Sequence, residues 1–128
     1  MNKVYNPTTI AAPVGAYSHA VEIAPGARTL FISGQVGVTP DGKTGVGITA
    51  QAEAVWGNIV GILKAAGMDV RDLVKVNILL VNPDDIAPSR AVRNRFLGDH
   101  KPASTLAVIS RLAAPEYLIE IEAIAAKA

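Results

Sequence analysis

The chain of 128 residues contains no cysteine. Disulfides, thiolate zinc sites and a cysteine nucleophile are thereby excluded. The same absence fits a reducing compartment, so a cytoplasmic location is expected. No apolar run exceeds four residues, as in Ile78–Val81, which is too short to span a bilayer as a helix. The opening Met-Asn-Lys-Val-Tyr-Asn-Pro-Thr-Thr lacks the charged-then-apolar layout of a secretion signal, so export is not expected. Neither sign of charge predominates: 12 Lys+Arg face 11 Asp+Glu, a net charge of +1 with no block of like charge. Neutralising several phosphates needs clustered Lys and Arg, and the densest basic stretch is only Arg90, Arg93 and Arg95. Nucleic acid is therefore a poor partner. Linkers, internal repeats and low-complexity stretches are also missing.

What is present points to a folded domain. Half of the residues are hydrophobic and only 18% are charged, which excludes a disordered chain. The length suits one domain over residues 1–128 and is too short for two. A mean hydropathy of +0.31 is high for so small a chain. Small domains bury little of their surface, so the apolar surplus predicts subunit contacts and a homo-oligomer.

Tyr17–Ile23 alternates and ends at Pro25-Gly26, and Thr29–Ser33 is a short apolar run stopped by Gly34. The two are expected to pair as an antiparallel hairpin. Pro40-Asp41-Gly42 marks the next turn. Between Thr49 and Ala66, the residues Val55, Ile59, Ile62, Leu63 and Ala66 fall on one helical face, with Thr49 as N-cap and Gly67 as the stop. Asp72–Val81 starts as alternation and ends apolar on both faces, the pattern of a central strand covered on two sides. Asp84–Leu97 reads as a second helix, approached through Asn82-Pro83-Asp84-Asp85 and tolerating Pro88 in its first turn. Thr105–Ile109 and Glu116–Ala125 read as strands. In the last, Ile119, Ile121 and Ala123 point one way while Glu120 and Glu122 point the other. This order predicts an α+β fold, two helices on one face of a mixed sheet, whose other face needs a partner chain.

Composition and spacing leave the chemistry open. Gly45-Val-Gly-Ile-Thr-Ala50 fits G-x-G-x-x-A, but it follows a turn rather than a buried strand and reads as a loop entering a helix. His19 in its alternating stretch reads as a surface or interface residue, and His100, between Asp99 and Lys101, as solvated. Neither has metal-ligand spacing to carboxylates, and no G-x-S-x-G elbow supports a triad, so no metal is expected. Glu120 and Glu122 could do acid–base work, because a partly desolvated Glu has a raised pKa. The same spacing also describes the wet face of a strand. Tyr17 could be a pocket wall or a core aromatic. Arg90 and Arg93, at i and i+3, could grip an anion or form a solvated face.

Taken together, the segments resemble the RidA (YjgF/YER057c-like) family. The stretches that carry the resemblance are Ala12-Pro13-Val-Gly15-Ala-Tyr17-Ser18-His19-Ala20-Val21, Ile32-Ser33-Gly34-Gln35, Gln51 with Asn58-Ile59, and Leu63-Lys-Ala-Ala-Gly67. Val74-Lys75-Val76, Lys101-Pro102-Ala103-Ser104 and Ile119-Glu120-Ile121-Glu122-Ala123-Ile124-Ala125 complete it. The resemblance implies a chorismate-mutase-like fold assembled as a homotrimer, with a central barrel and three ligand clefts between subunits. It implies hydrolysis of reactive 2-imino or enamine acids to 2-oxo acids and ammonia, with no cofactor. In that setting Glu120 corresponds to the water-positioning acid, Tyr17 to a cleft aromatic, and Gly34, after Ser33, to a glycine whose backbone faces the ligand. Arg90 falls where many relatives have an asparagine. The chain departs from the family at one point: the deaminase signature Pro-Ala-Arg-Ser reads Pro102-Ala103-Ser104-Thr105 here. Exchanging a charge-assisted pair of about 1.5–3 kcal/mol for a neutral hydroxyl weakens carboxylate binding roughly ten- to a hundredfold. Three outcomes follow: Arg90, or else Arg93, supplies the displaced guanidinium, the substrate differs, or hydrolysis is lost. In the last case the chain is a non-catalytic small-molecule-binding or protein-interacting trimer. A ribonuclease activity, the label of some relatives, lacks a basic stripe and a His/Lys constellation.

Overall fold

The computed structural model describes all residues, Met1–Ala128. The strands are β1 (Lys3–Tyr5), β2 (Ala20–Glu22), β3 (Arg28–Val36), β4 (Leu73–Leu80), β5 (Ala103–Val108) and β6 (Ile119–Lys127), and the helices are α1 (Ile48–Ala65) and α2 (Ile86–Leu97). The apolar periodicity of α1 buries Ala52, Val55, Trp56, Ile59 and Leu63 on one face. Gly67, at φ +71°, ends the helix and donates its N–H to Lys64. Thr49 is not the N-cap: Gly47, at φ +85°, turns the chain into the helix earlier and leaves Thr49 inside the first turn. Pro83–Asp85 forms a 3₁₀ turn, with the Asn82 side chain accepting from Asp84 N–H, and α2 then carries Pro88 in its first turn.

Four strands form the main sheet in the order β3-β6-β4-β5. Only β4 and β5 run parallel, joined by α2 as the crossover that a parallel pair requires. The expected hairpin does not form. β2 pairs instead with β1 in a separate two-stranded sheet, Val21 opposite Val4, and β3 pairs with β6, Phe31 opposite Ile124. A three-residue strand near the start carries too little pattern to be seen, and it takes the partner that β3 was expected to have.

Both helices cover one face of this sheet. Trp56, Ile59 and Leu63 of α1 and Val92 and Leu97 of α2 pack with Ile32, Val76, Ile78, Leu80, Ile119, Ile121 and Ala123 in a single core. Contrary to the two-sided cover expected of β4, its Lys75, Asn77 and Leu79 stay half-exposed on the opposite face. Phe31 on that face is 76% exposed.

Gln51, a polar residue wholly within this packing, fixes where β6 begins. Its Nε2 donates to the carbonyls of Gly45 (3.1 Å) and Glu116 (2.8 Å), and its Oε1 accepts from Leu118 N–H (2.8 Å). The turn of α1 bearing it passes so close to Gly37 that a Cβ there would lie 2.8 Å from Gln51 Cα. Replacing Gln51 with leucine keeps the volume but strips three backbone groups of their partner. Urea unfolding of Gln51→Leu is expected to show a loss of about 2 kcal/mol.

Candidate functional site

β6 alternates between two environments. Ile119, Ile121 and Ala123 face the helices, whereas Glu120 and Glu122 project from the uncovered face, as the sequence pattern requires. Glu120 stands opposite Val36 of β3 and Leu79 of β4. The β3–β6 register shifts between Ile32 and Gln35, so Ser33 and Gly34 form a bulge beside Glu120. A Cβ at Gly34 would lie 1.9 Å from Glu120 Oε2 and 2.7 Å from its Cδ. Gly34 does not adopt a left-handed backbone, so this clearance alone demands glycine. The two glutamates then differ. Glu122 accepts from Asn77 Nδ2 at 3.0 Å. Glu120 takes part in neither of the chain's two ion pairs, Arg71–Asp99 and Arg95–Glu53. Ser33 is exposed, and with Phe31, Lys75, Asn77 and Glu122 it lines a shallow cavity of about 250 Å³ on this face.

A second group gathers at the free edge of β5. Ser18 makes a parallel bridge to Ala103, its N–H donates to Pro102 (3.0 Å), and its hydroxyl donates to the Lys101 carbonyl. This ties the preceding Tyr17 beside β5. Tyr17 is a half-exposed residue of an irregular segment, not a core aromatic; its hydroxyl accepts from Val14 N–H at 3.3 Å, and its ring meets His19 edge-on at 6.0 Å. Ser104 pairs with the buried Val76, so it faces the helix side of the sheet.

The third group is on α2, where Arg90 is exposed but Arg93 is only 6% exposed, which rules out a solvated face for the latter. Burial, and then the neighbouring charge of Arg90, push the Arg93 guanidinium below its ordinary value. Both arginines line a narrow crevice with Trp56, Ile78, Ser89, Ile119 and Ile121. The burial of Arg93 was legible but unread: it shares the i, i+4, i+8 stripe of Ser89 and Leu97, both buried.

These groups do not meet within one chain. Ser104 and Glu120 stand opposite Val76 and Leu79, three residues apart on β4, or about 10 Å, and on opposite faces. None of the chain's cavities is lined by Glu120, Tyr17, Gly34 or Ser104. The histidines are also apart. His19 Nε2 bonds the Ala11 carbonyl (2.7 Å), and His100 is half-buried rather than solvated, its Nε2 bonding the Leu73 carbonyl (2.8 Å). No three His, Asp or Glu side chains converge as metal ligands. No helix is long and apolar enough to cross a membrane.

Comparison with known proteins fits this architecture. The family model described as Endoribonuclease L-PSP matches residues 8–127. A RutC family protein of Pyrococcus horikoshii is 40% identical over 119 residues, covering 90% of each chain. The 2-iminobutanoate/2-iminopropanoate deaminase of Mus musculus is 34% identical, over 98% of this chain and 91% of its own. A crystal structure of a Rid family protein of unknown function from Yersinia pestis superposes with a TM-score of 0.86 at 35% identity, covering 97% of each chain. The fold, the ordered motifs and these relatives establish that the chain belongs to the RidA (YjgF/YER057c-like) family.

Proposed function

We propose that the protein is a cytoplasmic homotrimer that hydrolyses reactive 2-imino or enamine acids to 2-oxo acids and ammonia. The observation that carries this reading is the glycine notch that holds the Glu120 carboxylate on an uncovered sheet face. The division of the candidate residues between two faces supports a site assembled from two copies. Ser33, Gly34 and Glu120 come from one copy, and Tyr17, Ser104 and Arg90 from its neighbour. Packing the uncovered faces of three sheets together gives the barrel.

In the proposed reaction the protonated imine presents an electrophilic carbon. Glu120 accepts a proton from water as the water oxygen bonds to that carbon, giving a carbinolamine. The proton passes to nitrogen, the C–N bond breaks, and the hydroxyl proton leaves as the 2-oxo acid and ammonium form. No electrons are transferred, and the reading assigns no cofactor. Tyr17 walls the cleft and Ser33 lends a hydroxyl. Ser104 offers the substrate carboxylate one neutral contact, and Arg90 offers the charged one.

The family model's name suggests a nuclease, but the chain's charge and the separate backbone bonding of His19 and His100 give no support for one. The loss of the family's signature arginine at Ser104 favours a second reading, a non-catalytic binding trimer.

Ammonia release from 2-iminopropanoate, generated in situ by an amino-acid oxidase, tests the proposal. Glu120→Gln is expected to lower the rate about 10²- to 10⁴-fold. Gly34→Ala pushes only the mobile end of Glu120 aside, so it should fold normally and still lose about 10²-fold. Arg90→Ala should raise KM roughly ten- to a hundredfold; an unchanged KM removes Arg90 from the site. A wild-type rate at background overturns the deaminase and leaves the binding trimer.

A further inference from the structure

A cavity of about 470 Å³ lies at the other end of β6, where the small β1–β2 sheet meets the main one. Glu120 and Lys127, which lines it, stand seven residues apart on β6, or about 23 Å. No residue placed in the proposed catalytic site lines it. Asn2 fastens the small sheet here, its Nδ2 donating to the Ala126 carbonyl at 3.0 Å and its Oδ1 accepting from Ala24 N–H at 3.1 Å. Val4 and Val21, opposite each other in that sheet, form an aliphatic wall with Leu73 and Ala126. Val4 stays 48% exposed, so the chain itself does not cover this wall.

Charged groups of both signs share the lining. Arg71 commits only Nη2, to Asp99 in a pair that is 69% and 83% exposed, which leaves its other donors free. Asp72 accepts from Asp69 N–H at 2.9 Å through Oδ2 and pairs with no cation. Lys127 donates to the Gly67 carbonyl at 3.0 Å and pairs with no carboxylate. A simple anion in this cavity would meet Asp72, and a simple amine would meet Arg71 and Lys127. A zwitterion offsets both signs. We infer that the cavity is a second ligand site, taking a free aliphatic α-amino acid. Its carboxylate accepts from Arg71 and Lys127, its ammonium donates to Asp72, and its side chain lies against Val4, Val21 and Leu73. No Phe, Tyr or Trp lines the cavity, which favours an aliphatic side chain over an aromatic one.

The test titrates the full chain with L-leucine, which has no imine to hydrolyse, by calorimetry and by thermal unfolding. Saturable heat and a rise in Tm are expected in the wild type and equally in Glu120→Gln, which separates this site from the proposed catalytic one. Arg71→Gln and Asp72→Asn should each weaken binding at least about tenfold. Both residues lie outside the core, and asparagine keeps an acceptor for Asp69 N–H, so both variants should fold. On the wild type alone, 4-methylpentanoate, which lacks the ammonium, and 3-methylbutylamine, which lacks the carboxylate, should each bind at least about tenfold more weakly than leucine. No saturable binding of leucine by the wild type, or wild-type affinity in both variants, overturns the inference. Either comparator matching leucine overturns the assignment to a zwitterion.

Discussion

The two-sidedness of β6 is the constraint on which the rest depends. Ile119, Ile121, Ala123 and Ala125 are buried against the helices, and the intervening Glu120 and Glu122 stand on the other face. A slip of one residue would turn both carboxylates into an apolar core, at a penalty of several kcal/mol each. Pairing on both edges, with β3 and with β4, locks the register. Core burial and the presentation of Glu120 are therefore one requirement met by one alternating sequence. Gln51 extends it, because the same side chain that fills the space under Gly37 holds the backbone of Glu116 and Leu118 just before the strand.

The bulge in β3 converts that register into a shaped feature. An unbroken ladder would set an ordinary side chain beside Glu120. The two residues between Ile32 and Gln35 instead place a hydrogen where a methyl group would strike the carboxylate. The notch thus restricts where Glu120 can rest without engaging its oxygens in an ion pair. An acid held this way stays available to water, whereas Glu122, bonded to Asn77, does not have the same freedom.

Much of this was legible in the sequence because the information is local. The 3.6-residue pattern of Val55, Ile59 and Leu63 specifies α1, and strict alternation from Ile119 onward specifies both faces of β6. Pairing partners are not local. β3 and β6 are separated by both helices, and the tight turn at Pro25-Gly26 made a neighbour the natural partner for β3 when the true one lay far along the chain. Gly34 was found through the family resemblance, but its reason, the approach of Glu120, appears only once the two strands are side by side. For the arginines, an i, i+3 pair on a helix suggests a shared exposed face, yet 100° per residue is enough to put Arg90 in solvent and Arg93 beneath the helix.

Charge placement links these features. Ser104 faces the helix side of the sheet, and Arg90 and Arg93 lie on that side too, while Glu120 lies on the other. A guanidinium supplied by Arg90, as proposed, in place of one at Ser104 would therefore change its element but not its side. A substrate gripped by a cation and hydrated by Glu120 must touch both faces, which a single sheet separates by its own thickness. In the proposed assembly a neighbouring copy resolves this, because the free β5 edge of its sheet, which carries Ser104 and holds Tyr17 beside it, lies against the open face of the first where the three sheets close into the barrel. In that proposal the arginine change is absorbed without disturbing the acid, since the two groups are assigned to different copies and share only their meeting point.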